Sequence, residues 1–365
     1  MRHEQPDRIP IDMTITIRAY KRLREYLGMP PEENMRMDAF TEVTPDPLLL
    51  KRLGVDVTFV RLRSPDGWKK QPPDEQGVWF DEWQVGRRPV QVSEGVILNE
   101  VVVSPLSQAT LDDLKSFQWP DPNDAGRTAG LEAEALRLYE ETDLALMGRF
   151  GGTILELAAY LRGWERFLID LVADPPFASA LLNRIADVQI EMDTAGLQAA
   201  GKYLSIFKVS GEDLGMQDRP LFSMRTWREV LRPPLERRWR AARTTLDRYA
   251  PHVKLMLHSD GAIRPFIPDL IECGIDMIDP VQPDCPGMEL AGLKRDFGDR
   301  LSFHGGVDTH RVLPFGSPIE VKKATQDCIR DLGAGGGYIL APVHNVQGDV
   351  PPENLVAMCE AAVEA

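Results

Sequence analysis

An imidazole and a carboxylate stand two residues apart in Leu257-His258-Ser259-Asp260-Gly261. If the preceding apolar run is a strand, the side chains of His258 and Asp260 point the same way, because strand side chains alternate between faces. An imidazole and a carboxylate together form part of a metal site. A second interpretation stays open, in which the two side chains are hydrogen-bonded and Asp260 or Ser259 caps the next helix.

A second histidine, His344, follows another apolar run in Ala341-Pro342-Val343-His344-Asn345. Two histidines and one carboxylate form a recognisable metal-binding set. His258, Asp260 and His344 are therefore predicted to hold a metal, provided that the fold brings the ends of their strands together. Taken alone, His344 is also compatible with a structural loop histidine or a hydrogen-bond donor to a substrate.

Two adjacent acids, Glu212 and Asp213, follow a third apolar run and lie between Gly211 and Gly215. Acids in such a loop are candidates for a general acid or base, or for a further metal ligand. The alternative is a helix start, in which Asp213 lies near the positive end of a helix.

Glu156 and Tyr160 are four residues apart, so they share one face of a predicted helix. Their neighbours are apolar, which favours a buried Glu156 lining a pocket together with Tyr160. A buried carboxylate needs a partner, for which Arg61, Arg149 or a metal are the candidates. The alternative is a surface pair between Glu156 and an arginine.

Short apolar runs alternate with longer helical stretches along the chain, as in α/β folds with parallel strands. The predicted helices are Leu131–Tyr139, Arg162–Ala173, Pro176–Gly196, Thr226–Tyr249 and Val321–Leu332. The predicted strands are Ile9–Met13, Val55–Val60, Leu144–Phe150, Leu204–Val209, Lys254–His258, Ile275–Ile278, Leu301–His304 and Tyr338–Ala341. Eight such strands predict a closed (β/α)₈ TIM barrel, whose active sites form at the carboxyl ends of the strands. His304 is expected to end its strand as a hydrogen-bonded core residue.

One stretch, residues 77–103, breaks this alternation because it is rich in strand-forming residues. We predict an antiparallel excursion after the second strand, with a turn at Gly86. Its segment Trp79–Trp83 is expected to act as a lid over the barrel mouth. The whole chain, residues 1–365, is taken as a single barrel domain with this insertion.

The chain has 365 residues and a formal net charge of −14 (42 Lys and Arg against 56 Asp and Glu). This acidity argues against a nucleic-acid binder or a protein that docks on anionic lipid. No apolar run approaches the ~18 residues of a membrane helix. The four cysteines show no Cys-x-x-Cys spacing and do not indicate a disulfide framework. We therefore expect a reduced, cytoplasmic protein.

A set of short motifs runs in order along nearly the whole chain. They are Pro6-Asp7-Arg8-Ile9-Pro10-Ile11-Asp12, Asp81-Glu82-Trp83, Trp119-Pro120-Asp121-Pro122, the stretch Gly152–Gly163, Glu212-Asp213-Leu214-Gly215-Met216-Gln217, His258-Ser259-Asp260-Gly261, Asp279-Pro280-Val281-Gln282, Gly305-Gly306-Val307-Asp308, and His344 with Pro351-Pro352-Glu353-Asn354. As an ordered set they resemble the uroporphyrinogen decarboxylase superfamily and, within it, the corrinoid-linked methyltransferase branch.

The resemblance implies a (β/α)₈ barrel, often a homodimer, with zinc at the mouth that assists methyl transfer. In that branch a His-x-Cys pair and a further ligand after the last strand hold the metal, and the matching residues here are His258, Asp260 and His344. Aspartate in place of cysteine is a harder ligand, which favours other metals or weaker zinc binding. This departure is more compatible with an O-demethylase-like enzyme acting on a small methylated compound than with thiol activation. The chain has no Asp-x-His-x-x-Gly signature, so the corrinoid is expected on a separate protein.

Two other functions stay open. Uroporphyrinogen decarboxylase itself is one, although the arginine-rich N-terminal segment of those enzymes is replaced here by Thr14-Ile15-Thr16-Ile17-Arg18. His344 matches a histidine of the decarboxylase as well, so it does not separate the two activities. The other is a barrel that binds a ligand without chemistry, since a fold does not determine a function.

Overall fold

A curled parallel sheet forms the centre of the computed structural model, which describes residues 3–32, 35, 41–93 and 96–365. The strands within these residues are β1 (Ile15–Thr16), β2 (Glu42–Val43), β3 (Val57–Arg61), β4 (Trp79–Phe80), β5 (Gly86–Ser93), β6 (Val96–Val103), β7 (Ala145–Arg149), β8 (Ile206–Gly211), β9 (Lys254–His258), β10 (Met277–Val281), β11 (Ser302–Val307) and β12 (Tyr338–Pro342). Seven of them pair in parallel, in the chain order β3, β7, β8, β9, β10, β11 and β12. The predicted α/β barrel class is confirmed.

Helices cover the outer face of this sheet. The α-helices of the described residues are α1 (Ile17–Tyr26), α2 (Pro47–Leu53), α3 (Leu111–Ser116), α4 (Leu131–Glu141), α5 (Leu155–Arg162), α6 (Trp164–Ala173), α7 (Pro175–Ala200), α8 (Met224–Thr226), α9 (Arg232–Tyr249), α10 (Ile267–Glu272), α11 (Leu290–Phe297), α12 (Val312–Phe315), α13 (Pro318–Gly333) and α14 (Pro352–Val363). Short 3₁₀ turns cover Ala125–Thr128, Gly201–Tyr203 and Arg264–Phe266, and a π-helical turn, Trp227–Leu231, leads into α9. Where the structure describes the chain, no helix combines the length and apolar character that a membrane crossing needs.

The first predicted strand, Ile9–Met13, is wrong as a regular strand. Its Ile11 forms an isolated parallel bridge with Leu340 in β12. On its other side, the Ile11 carbonyl accepts a hydrogen bond of 2.8 Å from the amide of Asp56, next to β3. The segment therefore occupies the eighth position of the barrel and links its two outer strands. Pro10 has no amide hydrogen to donate, which limits the ladder that this segment can form.

Two apolar layers hold the fold together. The larger layer lies between the sheet and the helices, and its largest buried side chains include Trp227 and Trp239. A separate cluster fills the barrel interior and is formed by Val57, Phe59, Met147, Ile206, Met256, Met277 and Ile339. Val57 and Phe59, the two that share a strand, are two residues apart, as the two-residue period of strand side chains requires.

The predicted β-rich stretch forms a separate antiparallel sheet of β4, β5 and β6. The prediction of a turn at Gly86 is wrong, because Gly86 is the first residue of β5 and pairs with Val103 in β6. The chain turns earlier, where the Asp81 carboxylate accepts hydrogen bonds of 3.0 Å from the amides of Trp83 and Val85. Such a side-chain-to-backbone turn replaces the glycine turn that the sequence suggested.

A buried ion pair ties two outer helices to the loop after β7. Arg238 in α9 donates two hydrogen bonds, of 2.7 and 3.1 Å, to the Asp193 carboxylate in α7. Asp193 also accepts a 2.9 Å hydrogen bond from the amide of Gly151. Both side chains are almost fully buried, so if one were removed, water could not solvate the charge of the other.

Replacement of Asp193 by alanine is expected to lower the free energy of unfolding by about 3–5 kcal/mol, because Arg238 would stay buried without its counter-ion. Asp187 offers a matched control on the same helix, since it pairs with Arg237 at the surface. The Asp187→Ala change is expected to cost no more than about 1 kcal/mol. Urea unfolding followed by circular dichroism measures both, and equal costs would contradict the role given to the buried pair.

Candidate active site

Charged side chains line the inner face of the barrel just above its apolar interior. Each lies two residues after a strand position that faces the barrel interior. Because strand side chains alternate between faces, it also points toward the barrel axis. This polar layer consists of Arg61, Arg149, Lys208, His258, Asp279 and His304. It lies at the carboxyl ends of the strands, where active sites form in this fold.

The Asp279 carboxylate is the centre of this layer. It accepts a 2.6 Å hydrogen bond from Lys208 Nζ and contacts His258 Nδ1 at 3.0 Å and His304 Nδ1 at 2.7 Å. The other ring nitrogen of His304 lies 2.9 Å from the carboxylate of Asp12. His304 is thus the hydrogen-bonded core histidine that the sequence predicted, and one carboxylate connects three strands.

These contacts determine the charge of each group. Burial alone would raise the pKa of Asp279, but Lys208, His304 and His258 hold it well below its usual value. Burial would lower the pKa of His304, but Asp279 and Asp12 raise it to about 9. Burial and the charge of Lys208 would lower the pKa of His258, but Asp260 and Asp279 raise it to about 10.

A second cluster faces the other ring nitrogen of His258. His258 Nε2 lies 3.5 Å from Asp260 Oδ2 and 3.9 Å from Asp213 Oδ1. One ligand atom from each of Asp213, His258 and Asp260 falls within 4.8 Å of the others, which is a spacing that could hold a metal ion. His344, predicted as the third ligand, lies at the edge, with Nε2 3.8 Å from Asp260 Oδ2.

The donors in this cluster fit a divalent cation. Asp260 Oδ1 is buried and has no hydrogen-bond partner among the described residues. Asp279 engages Nδ1 of His258 and leaves Nε2 toward Asp213 and Asp260. Metal-binding histidines are oriented in this way by a carboxylate on the second ring nitrogen.

Two loops approach closely to bring Asp213 and Asp260 together. A Cβ on Gly261 would lie 2.6 Å from the backbone of Gly215, and Gly261 has a positive φ of 85°. Both facts exclude larger residues at this crossing. The Asp260 amide also donates a 3.1 Å hydrogen bond to Asp213 Oδ1.

No helix begins at Asp260 or Asp213. The two alternatives in which Asp260 caps the next helix or Asp213 lies at a helix start are therefore wrong.

The adjacent acids Glu212 and Asp213 have different environments. The Glu212 carboxylate is fully buried and accepts hydrogen bonds of 2.9 and 2.7 Å from the amides of Ile154 and Leu155. These amides are at the start of α5, so Glu212 caps a helix from a distant part of the chain. Of the two acids, Asp213 is the one that faces His258.

Glu156 is buried as predicted, but its predicted arginine partners are wrong. Its Oε1 accepts a 2.6 Å hydrogen bond from the Asp213 amide, while Arg61 and Arg149 both donate to Glu42. Burial, followed by the charges of Asp213 and Glu212, raises the pKa of Glu156 well above its usual value. This shift favours the protonated form of Glu156 next to the His258 cluster.

Tyr160 lies one helical turn beyond Glu156. Burial, together with the nearby Glu156 charge, raises the pKa of the phenol to about 12. The Arg87 guanidinium of β5 lies 4.6 Å from the centre of the Tyr160 ring, which connects the antiparallel sheet to the site. The tryptophans proposed as a lid have other contacts: Trp79 lies under Lys70, and Trp83 packs edge-on against Trp119.

Sequence reasoning missed Asp279 and Lys208 as site residues, and it gave Arg61 and Arg149 the wrong partner. A signal was present. Each is a charged residue inside or at the end of a buried strand, two positions beyond an interior apolar residue. A buried charge in such a position needs a partner or a ligand.

Comparisons with known proteins show the family of this chain. The family model described as "Uroporphyrinogen decarboxylase (URO-D)" matches residues 93–365. This chain belongs to the uroporphyrinogen decarboxylase family. Its curated relatives include the uroporphyrinogen decarboxylase of Proteus mirabilis, 21% identical over 69% of this chain and 67% of that protein. The enzyme of Pseudoalteromonas translucida is 24% identical over 70% of this chain and 69% of its own length.

One solved structure is similar to this URO-D family member over its whole length. The methyltransferase from Methanosarcina mazei matches 100% of this chain and 96% of its own, with a TM-score of 0.63 and 18% identity. At this identity the likeness concerns the fold. The predicted superfamily is confirmed by these comparisons.

The Glu212→Ala change is expected to lower the free energy of unfolding by roughly 1–3 kcal/mol, because the buried amides of α5 would lose their acceptors. Glu320 provides an exposed control, since it accepts a hydrogen bond from the Ser317 amide in the capping box of α13. Its replacement by alanine is expected to cost at most about 1 kcal/mol. Thermal and urea unfolding measure the difference, and an unchanged stability of Glu212→Ala would refute the capping role.

Proposed function

We propose that this URO-D family member is a metal-assisted methyltransferase. It moves a methyl group between a small O-, N- or S-methylated compound and a corrinoid carried by a separate protein. The convergence of Asp213, His258 and Asp260 at the barrel mouth carries this proposal, because it brings three side chains of the types that bind metals within reach of one ion. The fold shared with the Methanosarcina mazei methyltransferase supports the same class of reaction.

The metal would be held by His258 Nε2 and by carboxylate oxygens of Asp260 and Asp213, with His344 as a further ligand at the edge. A divalent ion bound there would act as a Lewis acid for the heteroatom that loses or gains the methyl group. Zinc is the expected metal. The oxygen-rich set also suits harder ions, because Asp260 stands where the family resemblance implies a cysteine thiolate.

The chain itself contributes a proton and an oriented imidazole. The raised pKa of Glu156 favours its protonated form, and its Oε2 is buried with no hydrogen-bond partner among the described residues, so Glu156 would be the proton donor for a departing heteroatom. Asp213 connects Glu156 to the His258 cluster through its backbone amide. Asp279 and Lys208 hold the His258 ring in place from the opposite side. Tyr160 stays a neutral phenol beside Glu156.

Decarboxylation of a tetrapyrrole is the second candidate, because the curated relatives are named uroporphyrinogen decarboxylases. The arginine-rich N-terminal segment implied for those enzymes is missing from Thr14-Ile15-Thr16-Ile17-Arg18. This absence favours a smaller substrate. The homodimer and the separate corrinoid protein stay predictions.

Purified wild-type protein is expected to hold about one divalent metal ion per chain, as metal sites of this type do. His258→Ala and Asp260→Asn are expected to lose the ion and keep the fold, since their side chains lie outside the apolar core. His310→Ala is the matched control, because His310 is exposed and lies outside the cluster. Plasma mass spectrometry measures the metal and circular dichroism the fold. A wild-type chain that stays metal-free after incubation with zinc, manganese or iron(II) would refute the metal role.

Wild-type protein is expected to form methylcobalamin from free cob(I)alamin and a methoxylated donor, with free cob(I)alamin standing in for the corrinoid protein. Loss of the metal ligand in His258→Ala is expected to lower this rate by about a hundredfold or more, because a Lewis acid contributes several kcal/mol to such a step. The absorbance change of the cobalamin reports the reaction. Conversion of uroporphyrinogen by the wild-type protein, with no methylcobalamin formed from a panel of donors, would establish the decarboxylase instead.

A further inference from the structure

A chain of hydrogen bonds crosses the inner face of the barrel and ends at His258. Asp279 Oδ2 contacts His258 Nδ1 at 3.0 Å, and Asp279 Oδ1 contacts His304 Nδ1 at 2.7 Å. The other ring nitrogen of His304 lies 2.9 Å from Asp12 Oδ2. Carboxylates and imidazoles therefore alternate from Asp12 to the ring that would bind the metal.

The contact with His304 fixes the rotation of the Asp279 carboxylate. The terminal torsion of an aspartate side chain is soft, so the carboxylate turns easily unless its oxygens are held in different directions. Lys208 donates to Oδ2, which is also the oxygen that contacts His258. Among the described residues, His304 is the one that holds Oδ1. His304 thus keeps Oδ2 of Asp279 on the Nδ1 side of His258.

Asp12 holds the His304 ring from its other side. Both ring nitrogens of His304 face carboxylates, and a doubly protonated ring satisfies this arrangement by donating one hydrogen bond to each. The amide of Asp12 donates a 2.9 Å hydrogen bond to the carbonyl of Leu340 in β12. The segment at the eighth position of the barrel therefore supplies the first group of the chain, although it forms no regular strand.

Neither Asp12 nor His304 has a polar side-chain atom left over for a ligand. The two residues are 1% and 3% exposed. Both nitrogens of His304 and Oδ2 of Asp12 belong to the chain, and Oδ1 of Asp12 accepts a 2.7 Å hydrogen bond from the amide of Met13. A buried network with all its members satisfied is rigid. These two groups therefore act through Asp279 and not by contact with a substrate.

We propose that Asp12 and His304 are positioning residues for the metal ligand His258. They hold the Asp279 carboxylate so that its Oδ2 stays on Nδ1 of the ring, and Nε2 then stays directed at the metal. Loss of such an outer partner typically costs about 10–100-fold in metal affinity. This inference rests on the proposed function in taking His258 as a metal ligand.

The first test measures cobalt(II) affinity and the visible cobalt spectrum in two variants of Asp12. Asp12→Leu replaces the two oxygens by methyl groups, whereas Asp12→Asn keeps one oxygen that can accept from His304. Asp12→Leu is expected to bind cobalt about tenfold more weakly than the wild-type protein and to shift the absorption bands, because the ligand ring is no longer held. Asp12→Asn is expected to stay within about threefold of the wild-type affinity. Affinity of Asp12→Leu at or above the wild-type level, or equal losses in both variants, would overturn the proposal.

The double variant Asp12→Leu/His304→Phe guards against misfolding. It replaces both members of a buried hydrogen bond by apolar groups of similar shape, a change that can be nearly neutral for stability. Circular dichroism is expected to show the native fold, with a loss of cobalt affinity at least as large as in Asp12→Leu. His252→Phe is the matched control, because His252 precedes β9 and its Nε2 contacts the carbonyl of Leu204. Wild-type cobalt affinity in the folded double variant would overturn the proposal.

A measurement without metal separates this inference from the proposed function. Nuclear magnetic resonance of protein labelled at its histidine ring nitrogens reports the hydrogen bonding of each ring, and loss of signals in His258→Ala assigns those of His258. In metal-free protein, these signals are expected to move in Asp12→Leu and to stay in His252→Phe. Moved signals in a chain whose wild-type form binds no metal would refute the metal role and leave the positioning role intact. Unmoved signals together with normal metal binding by the wild-type protein would do the reverse.

Discussion

The Asp279 carboxylate is the constraint on which the barrel mouth depends. Lys208, His258 and His304 come from three different strands, and each contacts this one carboxylate. Without it, three basic groups would face each other in a space with little water, which costs far more than a surface charge. The neighbouring strands must therefore keep the register that pairs Asp279 with His258.

This constraint also determines the direction of the His258 ring. Because Nδ1 is engaged by Asp279, Nε2 faces the loops after β8 and β9. Those loops can approach only because Gly215 and Gly261 have no side chains at their crossing. The cluster of Asp213, His258 and Asp260 thus results from two requirements, a buried carboxylate inside the sheet and a close backbone contact above it.

Most of the barrel was predictable from the sequence, because strands covered on both faces are continuous apolar runs that turn signals separate. The strand at Lys254–His258 has the predicted bounds, and the others differ by a few residues at their ends. The prediction of a regular strand at Ile9–Met13 was wrong, because Pro10 has no amide to donate to a ladder and Ile11 forms an isolated bridge with Leu340. The Gly86 turn failed because an aspartate side chain, rather than a glycine, makes the turn.

The candidate site was predictable to a smaller extent. The spacing of His258 and Asp260 indicated a shared direction, and the two side chains do converge. Nothing in the local sequence shows that Glu212 caps α5, because its partners Ile154 and Leu155 lie more than fifty residues away. The partner of Glu156 was wrong for the same reason, since Glu42, which engages both arginines, lies in a short strand far earlier in the chain.

The charges at the mouth are paired locally. Arg61 and Arg149, which end β3 and β7, both donate to the Glu42 carboxylate, and Lys208 donates to Asp279. Asp213 and Asp260, after β8 and β9, instead lie side by side and face the His258 ring. In a region of low dielectric constant, water screens the repulsion between these two carboxylates poorly. A cation bound between them would relieve that repulsion, so this side of the mouth is the one that suits a metal.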